Sequence, residues 1–346
     1  MKKLQSIIFL SLLVSCTLNE NKIEDAVYFT YNDFGNPIEL KGEILPTEKL
    51  WKPTRIYFTD SVFVLVDNHY GDFFVQVRNK NNLDLISENI PKGIGPDERL
   101  SCWTLQINSD YIWALDMQAQ KMTAYSKDDF LSYSNVKPYK TVTFNDWPVG
   151  TISLLNKTFI GSCLTDTINL LSLYDYNGIR DNTQKNKHPL LNIETENIIS
   201  KKRLFEHRIQ YSEENNKVVV FYVYTDLIEI YDENLNLLSR IQGPDFFLPK
   251  LDMRDNFIHT IKEKTKFAYT IGCLTSAEIW ALYYGTSPDD KGIKLPNRIF
   301  VFDYNGKPLR SYNLEYPIYM FSIDEKNSIL YGLSEYPEPC IIKFNL

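Results

Sequence analysis

Between Arg55 and Ile90 the chain reads as four short strands laid end to end, and no other stretch constrains its fold as tightly. "RIYFT", "VFVLVD", "FFVQVR" and "LDLISENI" are rich in β-branched and aromatic residues, and each break between them carries Asp, Asn, Gly or Ser. Four antiparallel strands in about 36 residues match one blade of a β-propeller, whose sequence repeats run to about 40–50 residues.

A blade cannot bury its faces alone, so the pattern must recur. "IWALD" at Ile112 and "IWALY" at Ile279 are the same second strand in two different repeats. "YDYNG" at Tyr174, "YDENL" at Tyr231 and "FDYNG" at Phe302 are the same turn after a third strand, because aspartate, asparagine and glycine suit a tight reversal that needs positive φ. Second strands starting near Val62, Ile112, Phe159, Val218, Ile279 and Ile329 predict six blades, spaced by about 46–62 residues. The longer gaps hold two polar excursions, at 180–207 and 285–297, the first expected to include a short helix.

The last repeat offers only three strands before the chain stops, while "PIELKGEI" at 37–44 stands unassigned ahead of the first blade. The fold predicted is therefore all-β: a six-bladed β-propeller of four-stranded antiparallel blades, closed by an N-terminal strand that completes the last blade and removes an exposed edge. "PKGIGPDE" at 91–98 and "QGPD" at 242–245 fall where a blade's outer strand crosses to the centre of the next. Glycine and proline there set a sharp change of direction. In a ring, loops that enter the innermost strands surround the channel mouth, so Asp97, Glu98 and Arg99 are expected beside Arg55 at a pocket.

The first residues supply location. Lys2 and Lys3 precede an apolar run from Ile7 to Val14, too short to span a bilayer at about 20 residues, and "LVSC" resembles the lipobox of bacterial lipoproteins. This predicts a signal peptide over 1–15, a lipidated tether over 16–26 beginning at Cys16, and a propeller over 27–346. Thr17 in place of an aspartate favours the outer membrane, and the membrane is then a partner through the acyl chains. A net charge of −7, with no basic cluster beyond Lys201–Arg203, argues against nucleic acid.

The lipobox, the segment "LWKPTRIYFTDSVFVLVD" at 50–67, and "KGIGPDE" followed by "IWALD" resemble a group of Bacteroidetes lipoproteins built as six-bladed, TolB-like propellers. The likeness implies fold and envelope location and adds nothing about chemistry. No HExxH, GxSxG or phosphate-cradling loop is present, and His69, His188, His207 and His259 are scattered. The reading is a binding module for a glycan, a peptide or an envelope protein. Trp51 and Trp147, each beside a proline in an expected loop, are its aromatic ligand candidates, whereas Trp113 and Trp280 belong between sheets. The alternative is a lactonase or esterase with Ca2+ in the central channel, for which Asp67, Asp116, Asp97 and Glu98 are candidate oxygen ligands. No cofactor is otherwise expected. Cys102, Cys163, Cys273 and Cys340 could pair in three ways or not at all, and small buried residues in strands are the simpler expectation.

Overall fold

A computed structural model describes residues 21–45, 50–60, 62–146, 148–163, 166, 169–183, 205–254, 257–288 and 294–346. The signal peptide and Cys16 lie outside the described residues, as do Trp147, most of the 180–207 excursion and the middle of the 285–297 excursion.

The six blades stand where the repeat placed them. Their second strands are Val62–Val66, Tyr111–Asp116, Phe159–Cys163, Lys217–Tyr222, Ile279–Tyr283 and Ile329–Ser334. These strands read as nearly unbroken apolar runs because each blade is covered on both faces by its neighbours. Val64, Val66 and Val77 of blade one pack with Leu105, Ile112 and Tyr125 of blade two. Trp113 meets Phe159 of blade three edge to face at 5.4 Å, and Trp280 stacks on Tyr312 at 5.3 Å. A further cluster joins blades five, six and one, so the apolar core runs round the whole ring.

The repeated turn works through one device. Asp175, Asp232 and Asp303 each accept backbone N–H bonds at 2.8–2.9 Å from the residues two and four positions on. The fourth turn residue takes positive φ, as Gly178 at 74°, Leu235 at 61° and Gly306 at 85°. Blade one uses a variant one residue longer, in which Asn79 Oδ1 accepts the Asn81 N–H at 2.8 Å and Leu83, the fifth residue, takes positive φ at 56°.

Closure is achieved by Gly42–Ile44, which pairs antiparallel with Ile342–Phe344 as the outermost strand of blade six. The rest of the N-terminal segment does more than the sequence predicted. Ile38–Leu40 runs parallel along the outer strand of blade five, and Val27–Tyr28 runs parallel along that of blade four. Of the expected tether over 16–26, residues 16–20 lie outside the described residues, and from Asn21 the chain is docked. Ile23 is buried, its N–H donates to the Gln242 side chain at 2.8 Å, and that carboxamide donates back to the Asn21 carbonyl at 2.8 Å. The segment is a belt over three blade edges.

Blade three shows three strands among the described residues, and a hairpin, Leu251–Arg254 with Phe257–Thr260, is inserted in the crossing from blade four to blade five. Lys127–Ser132 is an α-helix capped by Ser126.

Candidate functional site

The six innermost strands surround a central cavity of about 380 Å³. All run away from the face that carries the crossings, so their first residues sit at one mouth and their last at the other. Most polar side chains along the wall stitch one blade to the next. Tyr57 Oη is 2.9 Å from Thr104 Oγ1 and accepts the Leu105 N–H at 2.9 Å. Gln106 accepts the Leu154 N–H at 2.5 Å and donates to its carbonyl at 2.7 Å. Gln210 donates to the Gly272 carbonyl, Glu325 accepts the Ser276 N–H at 3.0 Å, and Ser322 Oγ accepts the Phe58 N–H at 3.0 Å. Asn156 bonds Asn216 at 3.2 Å on the face opposite the crossings. Every junction of the ring carries such a bond, and these side chains are committed to the fold.

Arg55 and Arg208, at the crossing-side mouth, are not spent this way. Arg208 pairs with Glu206 at 3.0 Å and donates to the His207 carbonyl at 3.1 Å. Arg55 donates to the Thr54 carbonyl at 2.8 Å and lies over the Trp103 ring, 5.7 Å from its centroid. No carboxylate stands at ion-pair distance from Arg55 among the described residues. Desolvation holds its guanidinium below the usual value, Tyr57 opposes that, and the like charge of Arg208 adds to it. Burial pushes the thiols of Cys102 and of Cys273, which lines the cavity, up to about 12, so neither offers a thiolate at neutral pH. Cys102, Cys273 and Cys340 are not in disulfides, and Cys163 is buried in blade three.

The expected grouping of Arg55 with Asp97, Glu98 and Arg99 does not form; of the four only Arg55 lines the cavity. Asp97 pairs with Lys137 on the surface. Glu98 folds back to accept the Gly95 N–H at 2.8 Å. Arg99 is buried between blades, donating to Thr123 Oγ1 at 3.1 Å and to the Glu98 carbonyl at 2.7 Å. Gly93 lets the Glu98 carboxylate fold back onto the loop: at φ 150° its missing side chain leaves the space that the carboxylate fills, 1.9 Å from where a Cβ would stand. Gly243 repeats the arrangement in "QGPD" at φ 153°, with the Phe29 carbonyl 2.2 Å from its would-be Cβ. Both crossings are built for direction, as their composition indicated.

Trp51 is 63% exposed at the crossing into blade one, edge-on to Tyr70. Asp67 accepts N–H bonds from Lys52 and His69, both at 2.9 Å. Asp116 accepts from Leu100 at 2.9 Å, Ala119 at 3.0 Å and the Ser101 hydroxyl at 2.8 Å. Their oxygens tie turns to crossings, and among the described residues no three His, Cys, Asp or Glu side chains stand together as a metal set. Arg55 was legible as a candidate, but Arg208 and the interblade stitches were missed. Their only signal was a polar residue at alternate positions of the innermost strands.

A second cavity of about 340 Å³ opens on the opposite face, where Tyr139, 70% exposed, stacks on Tyr111 at 5.0 Å and Lys140 lies over Tyr176. No helix among the described residues is long and apolar enough to cross a membrane.

Known structures show the same architecture. A Bacteroides fragilis protein whose name calls it exported is similar at 15% identity over 92% of this chain and 98% of its own, with a TM-score of 0.58. A member of the DUF4221 family from Bacteroides vulgatus is similar at 10% identity over 89% and 96%, also at 0.58. Identities this low speak for the fold alone. The search of curated proteins returned no match. Residues 33–326, which run from the N-terminal belt through blades one to five to the innermost strand of blade six, match the family described as TolB-like 6-blade propeller-like, and the chain belongs to that family.

Proposed function

We propose that this protein is a lipid-anchored binding module of the bacterial cell envelope, and that it holds a glycan, a peptide or a partner protein at the crossing-side mouth of its central cavity. The observation that carries the reading is Arg55, a half-buried cation at a cavity mouth with no acid at ion-pair distance among the described residues. Groups of this kind are costly to a fold and mark sites where a ligand supplies the missing partner. Around it the crossing face leaves Trp51, Ile94, Leu100, Trp103 and Tyr336 exposed. The anchor is supported by Lys2, Lys3, the apolar run and "LVSC" ending at Cys16, and the exported Bacteroides relative is consistent with that address. Thr17 favours the outer membrane.

Two measurements test this. Palmitate labelling in a bacterial host should mark the chain and place it in the membrane fraction, and Cys16→Ala should abolish both; labelling that persists in the variant refutes the anchor. Crosslinking capture from envelope extracts should be lost in Leu100→Glu/Trp103→Ala at the mouth and retained in Tyr139→Ala on the opposite face. The reverse pattern would move the site to the second cavity.

A further inference from the structure

Arg55 has five N–H donors, and among the described residues one hydrogen bond is seen, to its neighbour's carbonyl. Most other polar groups of the wall close blade junctions, Thr59 and Tyr211 bond within their own blades, and Arg208 is shared with Glu206. Taken with the exposed apolar rim, this defines the chemistry of the occupant. We propose that the cavity is a carboxylate-binding site, in which Arg55, resting on Trp103 and backed by Arg208, receives the acidic side chain or C-terminal carboxylate of an extended peptide segment from a partner protein. The inference rests on the cavity-mouth reading above and names its ligand class.

Three observations select this ligand. First, among the described residues the mouth holds one guanidinium without a carboxylate partner, which balances a monoanion. A planar carboxylate matches its fork, whereas a phosphate, at about −1.5 to −2, would leave excess negative charge beside a single half-buried cation. Second, the far end of the cavity carries Glu325. An innermost strand of five residues, Arg55–Thr59, sets the two ends roughly 13 Å apart at ~3.3 Å per residue, so the anionic end of a ligand is directed to the arginine mouth. Third, the crossing that bears Trp103 also exposes two aliphatic side chains, Ile94 at 92% and Leu100 at 45%. These offer a sugar neither a stacking face nor a hydrogen bond, while the apolar side chains of a peptide flanking its acid would cover them.

A displayed library of random peptides with free C-termini, selected on the full-length chain in detergent, tests the assignment. Selected peptides should be enriched in Asp, Glu or a required C-terminal carboxylate. They should bind Arg55→Gln at least about tenfold more weakly, Arg55→Lys at an intermediate level and Tyr139→Ala unchanged, with melting curves confirming that each variant folds. Should Arg55→Gln not fold, competition on the unmodified chain decides: acetate should displace the peptides and acetamide should not. Selection of no peptide, peptides without acidic enrichment, equal binding by a folded Arg55→Gln, or equal displacement by the two competitors overturns the proposal. Binding of oligogalacturonate in place of any peptide also overturns it, in favour of an acidic glycan. Peptides that need Leu100 and Trp103 but ignore Arg55 leave the cavity-mouth reading standing without the carboxylate, whereas binding indifferent to both sets removes both.

Discussion

Replacing Asp226 with asparagine isolates the group that holds the "QGPD" crossing. Its Oδ2 accepts N–H bonds from Asp245 at 2.9 Å and Phe246 at 2.6 Å, and its Oδ1 accepts from Phe247 at 3.2 Å and the Gln242 side chain at 3.4 Å. The carboxyl is fully buried, and desolvation outweighs those bonds, raising its pKa to about 6. The unfolded chain should titrate near 3.9. The folded value is the higher, so the native state binds the proton first and stability rises as pH falls through about 6 towards 4. Linkage between a folded pKa of about 6 and an unfolded one of ~3.9 gives the wild type about 1.4 kcal/mol on going from pH 7.5 to 5.0. Asp226→Asn keeps the shape and lacks the titration, and its amide nitrogen faces two donors, which at pH 7.5 costs roughly 1–3 kcal/mol. Denaturant unfolding of both proteins at the two pH values, read by tryptophan fluorescence, gives the difference directly and subtracts every other titrating group. The reasoning is refuted if the wild-type advantage shrinks, or stays constant, as the pH is lowered.

Glu229, with no exposed surface, accepts from Tyr222 at 2.6 Å, Tyr231 at 2.7 Å and Arg240 at 2.6 Å; Glu229→Ala should cost roughly 3–5 kcal/mol by denaturant unfolding, and a double-mutant cycle with Arg240→Met should show coupling rather than additivity. Asp97→Ala breaks only an exposed ion pair and should change stability by less than about 1 kcal/mol, whereas Gly243→Ala, which meets both strain and the Phe29 carbonyl, should cost roughly 2 kcal/mol or more in the same assay. Deleting residues 21–44 bares the outer edges of three blades and should produce concentration-dependent association by light scattering. Since both Asp67 and Asp116 are satisfied by N–H and hydroxyl donors, a chelator should leave the melting temperature unchanged; a fall on chelation would revive a channel metal.

The six-fold repeat was readable because each blade obeys local rules. Alternation makes the strands, and an aspartate that bonds two and four residues ahead, with positive φ at the fourth turn position, makes the hairpins. Such forces act over a few residues, so they leave their mark in order along the chain. Ring closure by 42–44 was readable by counting, since a blade short of a strand and a strand without a blade are complementary. The belt formed by 21–40 was not, because its pairing with blades four and five is parallel, joins residues far apart in sequence, and has no turn to announce it.

The candidate site divides in the same way. Charge and glycine content marked the "PKGIGPDE" loop, yet Glu98 and Arg99 answer to neighbours within that loop and between blades. Residue type alone cannot distinguish a carboxylate offered to a ligand from one that caps its own turn. What the sequence determined by itself was the blade, its turns and its number of copies, each a consequence of short-range backbone chemistry. Tertiary structure alone decided that Arg55 and Arg208 share one mouth while the polar residues around them are consumed in closing the ring, because a cavity on the axis exists only once all six innermost strands stand side by side.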